Sequence, residues 1–237
     1  MSRFSPRELS KKTTILSYHD MILEEAGLVS YYNFGAGAGS KLWDQKGTNH
    51  GDITGATWTQ KSNGIYTLDF DGVADYVITS GGVSGITGDF TFAGWVNPRQ
   101  NDDDALRGMF GNLDHAPADG VCLSQYNQEI RVYWGGGSDY YEWTSKLTTI
   151  NIWYYLVLQY TSNTFYLYIN GILQSGTRIQ VISQNDTDIL VGRWSVIFGS
   201  YCFDGLINEV AIYNVALSPE TILQHYTVGV WEGLAVT

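Results

Sequence analysis

Short β-forming runs separated by turn residues recur along almost the whole chain, and that rhythm leaves few architectures open. Phe90–Val96 (FTFAGWV) is stopped by Asn97 and Pro98, and Ile130–Trp134 and Tyr140–Thr144 flank GGGSD. Trp153–Tyr160 and Phe165–Ile169 flank Ser162 and Asn163. Asn170 and Gly171, a two-residue type I′ signal, turn the chain back into Ile172–Gln174. More than ten such runs, spaced roughly 8–12 residues apart, predict an all-β sandwich of two antiparallel sheets. No repeat of fixed period and no linker-like segment divides the 237 residues, so one sandwich domain is expected over 18–237, preceded by a basic arm over 1–17.

Composition supports that architecture and excludes some functions. Hydrophobic residues make up 44%, enough for a core, and 27 glycines and 17 tyrosines suit many turns and aromatic sheet faces. The net charge is −11, although the arm carries Arg3, Arg7, Lys11 and Lys12 against Glu8 alone. The body is therefore strongly acidic and would repel nucleic-acid phosphates. The arm reads either as a solvated terminus or as a docking peptide for an acidic partner surface. Residues 1–20 lack the apolar segment of a signal peptide, and no run is long enough to span a membrane as a helix. Cys122 and Cys202 sit in apolar strand-like runs and are expected as buried free thiols.

Both ends carry helix signals. Thr14–Glu25 has helix-compatible apolar spacing, with Ser17 or Asp20 as candidate caps, and Leu28–Phe34 follows as a strand. Near the other end, Val210 and Ile212 alternate with Ala211 and Tyr213 in strand fashion. Ser218, Pro219 and Glu220 then mark the start of a helix reaching Tyr226. The stretch Trp43–Trp58, rich in Gly, Asn and Asp, reads as a loop.

Several runs resemble a known family. Gly205, Ile207, Glu209, Val210, Ile212, Tyr213, Asn214, Ala216, Leu217, Ser218 and Ile222 match the closing signature of laminin G-like jelly rolls, in the concanavalin A-like lectin/glucanase superfamily. LDFDGVADYVIT, DFTFAGWVNP and FYLYINGILQSG match further runs in the family's order. YHDMILEEAGLVSYYNF resembles the opening of phage-encoded members, with Gly27 and Leu28 replacing the usual proline. The resemblance implies an antiparallel jelly-roll sandwich with short terminal helices. It also implies a structural calcium held at positions corresponding to Asp44, Asn49 and Asn208, the last standing where the family has Asp.

Catalytic patterns are missing. Retaining glycosidases need two carboxyls about 5 Å apart, and Asp204 and Glu209, five residues apart, fall on opposite faces by strand periodicity. Asp102, Asp103 and Asp104 form a loop cluster that reads as a solvated turn. The glycine-rich turn 81–85 lacks the context of a nucleophile elbow, and the four histidines have no metal-ligand spacing. A non-enzymatic protein is expected. Tyr133, Trp134, Tyr140, Tyr141 and Trp143 cluster around the GGGSD hairpin, with Trp194 in a later loop, as candidate sugar or protein contacts. The leading expectation is a phage virion protein decorating capsid or tail, docked through Arg3, Arg7, Lys11 and Lys12 and displaying the sandwich outward. The alternative is a microbial carbohydrate-binding module or adhesin, at the cell surface or outside it. A polysaccharide-active enzyme is a third reading. Virion proteins, surface glycans and further copies of the chain are the expected partners, and nucleic acid and membrane are not.

Overall fold

The computed structural model describes residues 16–79, 86, 88–100, 104–115, 118–137, 139–183, 188–195 and 201–236. The four basic arm residues Arg3, Arg7, Lys11 and Lys12 lie outside that set, as do Asp102, Asp103 and the turn 81–85. Two large antiparallel sheets face one another. The first runs Ile172–Leu173, Thr164–Ile169, Tyr154–Thr161, Phe90–Pro98, Asp204–Tyr213, Tyr66–Asp71, Thr57–Gln60. Leu28–Tyr32 adds to Asp204–Tyr213, and Arg178–Ile179 to Thr164–Ile169. The second runs Asp139–Lys146, Glu129–Trp134, Val121–Tyr126, Leu106–Gly111, Leu190–Val191, Tyr76–Thr79, Gly51–Thr54, Lys41–Leu42. The sandwich expected from turn spacing and from the family resemblance is therefore the observed fold.

Side-chain alternation fills two layers. Phe70, Phe92, Val96, Leu123, Val132, Trp134, Trp143, Leu156 and Val210 pack between the sheets. On the other side of the first sheet, Trp95, Tyr155, Ala211 and Tyr213 pack beneath two helices. Helix α1 (Tyr18–Glu24) contributes Tyr18 and Ile22, and helix α2 (Pro219–Trp231) contributes Ile222 and Val228. This double coverage explains why all nine residues of Phe90–Pro98 are buried. Both helices begin as the sequence indicates. The Ser17 hydroxyl accepts from Asp20 N at 3.1 Å, and that of Ser218 accepts from Thr221 N at 3.1 Å. Helix α2 runs five residues past Tyr226, ending at Trp231.

Asn170 and Gly171 take φ of 53° and 78°, the two left-handed residues of a type I′ turn. The strand Gly51–Thr54 and the start of Thr57–Gln60 fall in Trp43–Trp58, the stretch read from sequence as loop. Their exposed positions Asp52, Thr54, Thr57 and Gln60 leave too few apolar residues for a strand signal. Cys122 and Cys202 are buried free thiols, and burial pushes the Cys122 thiol up to about 12.

One local irregularity overturns a periodicity argument. A β-bulge between Asn208 and Ala211 gives Glu209 a φ of 51°. Glu209 thereby turns onto the helix-covered face, where Tyr31 OH donates to its carboxyl. Leu206, and Asp204 two residues before it, belong to that same face, so Asp204 and Glu209 are not on opposite faces as counting by twos implied. They are nonetheless committed elsewhere. Asp204 is ion-paired with Arg99 at 2.6 Å, and Glu209 is sealed under the helix layer at 6% exposure.

Candidate aromatic binding face

The outward face of the second sheet is built by strand parity. In Glu129–Trp134, Ile130, Val132 and Trp134 point into the core, leaving Arg131 and Tyr133 outward. In Asp139–Lys146, Trp143 enters the core, so Tyr140 and Glu142 face outward. Register then sets Tyr133 opposite Tyr140 and Arg131 opposite Glu142. The Tyr133 and Tyr140 rings lie 5.2 Å apart, and Trp194 meets Tyr133 edge-on at 5.3 Å. Tyr201 continues the row, 5.2 Å from Trp194. Leu106, Leu113 and Cys122 pack beneath or beside these rings. Gly108 makes the close packing possible, because a Cβ there would stand 2.0 Å from Trp194 N.

Arg131 orders the polar side of this face. Its guanidinium lies 3.8 Å from the Tyr126 ring centroid and 4.5 Å from that of Tyr140. Its Nε pairs with Glu142 Oε2 at 2.5 Å, and its Nη1 donates to the Tyr133 hydroxyl at 3.2 Å. Burial raises the Tyr133 pKa, so the hydroxyl that accepts from Arg131 stays neutral. Further along the same sheet, Arg193 covers Tyr76 at 4.7 Å. Tyr140 is the exposed ring of this face, Tyr126, Arg131 and Tyr201 are half-buried, and Tyr133 and Trp194, at 7% and 5% exposure, are buried rings that support them. Such a surface can stack on the apolar face of a ring and hydrogen-bond its rim.

Of the six aromatics singled out from sequence, Tyr133, Tyr140 and Trp194 belong to this face. Tyr140 is 50% exposed, and Trp194 lies within the row at 5%. Trp134 and Trp143 are corrected to core residues, at 3% and 0% exposure, because parity sends them between the sheets. Tyr141 packs against the same core and meets Trp143 edge-on at 4.9 Å. The sequence reading missed Tyr126, Arg131 and Tyr201. The alternation of Arg131 and Tyr133 with core-type Val132 and Trp134 was the available signal.

The positions implied for calcium form a different structure. Asp44 Oδ1 accepts from Tyr31 N and Lys46 N, each at 3.0 Å, and Oδ2 accepts from Asn49 N at 3.2 Å. Asn49 donates through Nδ2 to Ser30 Oγ, and its carbonyl accepts from Tyr32 OH. Asn208 Oδ1 accepts from Glu209 N at 3.0 Å. Calcium takes 6–8 oxygen ligands. One carboxylate already bonded to three peptide N–H groups, with two neutral amides turned to protein partners, does not fit that need. No group of three His, Cys, Asp or Glu residues suited to a metal occurs among the described residues. Asp44 staples the loop after Leu42 to the strand Leu28–Tyr32.

Comparison with known proteins places this geometry in a family. No curated protein sequence matches the chain. Among solved structures, domain 4 of AbnA, a GH43 extracellular arabinanase from Geobacillus stearothermophilus in complex with arabinotriose, superposes with a TM-score of 0.68 at 21% identity, over 86% of this chain and 100% of that one. Trypanosoma rangeli sialidase matches with a TM-score of 0.68 at 17% identity over 86% of this chain, which spans about a third (33%) of the sialidase. The botulinum neurotoxin serotype D binding domain matches with a TM-score of 0.64 at 14% identity, covering 85% of this chain and 50% of that one. At these identities the likeness is one of fold. A family model of the concanavalin A-like lectin/glucanase superfamily, of laminin G type, matches residues 71–223, and the chain therefore belongs to that superfamily.

Proposed function

We propose that this domain is a non-enzymatic glycan-binding module whose binding surface is the outward face of the second sheet. The observation that carries the reading is the exposed Tyr140 ring beside Arg131 and Tyr126, backed by the buried rings Tyr133 and Trp194 that run on to Tyr201. Flat rings with fixed polar edges recognise sugars by stacking and by hydrogen bonds to hydroxyls. Binding domains among the structural neighbours support this reading, the arabinotriose complex most directly. The non-enzymatic part rests on Asp204 and Glu209, the nearest candidate pair, being spent on Arg99 and on Tyr31.

Tyr140→Ala tests the surface, because this half-exposed ring can be removed without opening the core. A glycan array including arabinotriose, followed by calorimetry on any hit, should show binding by the wild type and a loss of about tenfold or more in the variant. Binding that survives Tyr140→Ala unchanged would place the ligand elsewhere, and no binding by the wild type would end the reading.

A second reading is display of this module on a phage particle. Its support is the resemblance of residues 18–34 to phage-encoded members and the basic arm that precedes them. Deleting residues 1–17 should release the protein from such a particle. Unchanged incorporation would rule out anchoring by the arm.

A further inference from the structure

We infer a second binding site, on the opposite side of the sandwich, for a single neutral sugar ring or similar polyol. A cavity of about 170 Å³ opens at the end of the helix-covered sheet, lined by Asn97, Arg99, Asn151, Gly205 and Leu206. Its volume exceeds ten times the roughly 10–15 Å³ that one water requires, which is the scale of a small ligand. Asn97 and Leu206 face one another in register on adjacent strands. The site stands apart from the aromatic face and does not rest on the function proposed for it.

Asn97 is the observation that points to a ligand. It is 5% exposed and lines the cavity, and its side-chain amide makes no hydrogen bond among the described residues. Its amide is not among the buried unpartnered groups, so it opens on the cavity and offers two donors and an acceptor to whatever occupies it. Asn151 offers a second unbonded amide from the rim, held at φ 59° in the turn before Tyr154–Thr161. Its backbone N–H donates to Pro98 O at 2.8 Å, which fixes the turn against the cavity wall. Gly205 lets its strand approach the neighbouring one at the cavity wall, because a Cβ there would lie 2.2 Å from the backbone O of Asn97.

Charge selects the ligand class. Arg99 is gripped by Asp69 and Asp204, both at 2.6 Å, and its Nη1 also donates to Phe70 O at 3.3 Å. One cation against two carboxylates leaves no net positive charge to attract an anion. A hard cation would find its carboxylates already committed to Arg99. What remains is a rigid wall of amides and a neutralised ion pair, which suits hydroxyl groups that both donate and accept.

The test is an NMR titration of the whole protein with D-galactose, D-glucose, D-mannose and L-arabinose in turn. At least one sugar should shift the amide resonances of Asn97, Arg99, Asn151 and Leu206, with a Kd of about 1 mM. Asn97→Ala and Asn151→Gly should each weaken that binding about tenfold, and Tyr140→Ala should leave it unchanged. Asn151→Gly keeps the left-handed backbone and sits on the exposed rim, so it decides the matter even where Asn97→Ala fails to fold. No shift at these residues with any of the four sugars overturns the inference, as does a shift that both variants leave intact. Shifts confined to Tyr133, Tyr140 and Trp194 overturn it while supporting the aromatic face.

Discussion

Trp143→Ala should destabilise the domain by about 3–5 kcal/mol, as large-to-small changes of core aromatics do. That is a large share of the roughly 5–15 kcal/mol that a typical domain has. The indole is fully buried at 0% exposure, meets Tyr141 edge-on, and its Nε1 donates to Gly176 O at 3.0 Å. Removing it empties volume between the sheets and leaves that carbonyl without its donor. Trp143→Phe, which keeps a ring but not the N–H, should cost less, about 1–2 kcal/mol. Urea denaturation gives both values. Tyr140, three residues away on the opposite face, supplies the contrast, since its truncation should move stability by only about 0.5 kcal/mol. A stable Trp143→Ala protein that had lost glycan binding would put the ring at the surface and refute the packing. This result also decides which aromatic substitutions report on binding, because those at Trp134 and Trp143 act first through folding.

That contrast marks how far the sequence could be read. Turn chemistry was local and legible: Asn170 and Gly171, and the caps Ser17 and Ser218, act through their own backbone neighbours. The face of each aromatic around the hairpin depended on register, and the absolute phase of an alternating strand is set by what packs on it. One residue of phase separates Tyr140 from Tyr141 and Tyr133 from Trp134, so the cluster was visible while its outward members were not. Asn97 looked only like a strand stop before Pro98. Its role as a cavity wall arises from Leu206 and Asn151, which stand more than fifty residues away in sequence. Glu209 matched the family signature, yet the bulge that rotates it is a long-range feature that counting by twos cannot anticipate.

Glu209 should also make stability depend on pH in a defined window. Burial pushes its carboxyl up to about 8, against the hydrogen bond from Tyr31 and the charge of Lys61, which act to lower it. Burial likewise pushes Lys61 down to about 8. Lys61 is held by Leu234 O at 2.8 Å and lies 3.8 Å from the Trp153 ring centroid, so the pair ties the segment after α2 to the sheet. Glu232 also faces the cluster, accepting from Tyr18 N at 2.9 Å, and raises the Glu209 pKa further. A carboxyl raised above its unfolded value contributes stability that is fully present below about 4.5 and is lost as pH rises through about 8. A lysine lowered from 10.5 acts in the opposite sense, so its contribution recovers between about 8 and 10.5. The two together predict that this cluster stabilises the fold least near pH 8. Glu209→Gln preserves an acceptor for Tyr31 but cannot titrate. Its stability relative to wild type should therefore increase by about 1 kcal/mol per pH unit between roughly pH 5 and 8. His225, which burial lowers to about 4, is common to both proteins and drops out of the difference. Lys61→Met should remove the recovery above pH 8 and leave the acid limb in place. Denaturant midpoints across pH 5–10 read both limbs, and a Glu209→Gln difference that stays flat from pH 5 to 8 would show that the buried carboxyl is ionised throughout.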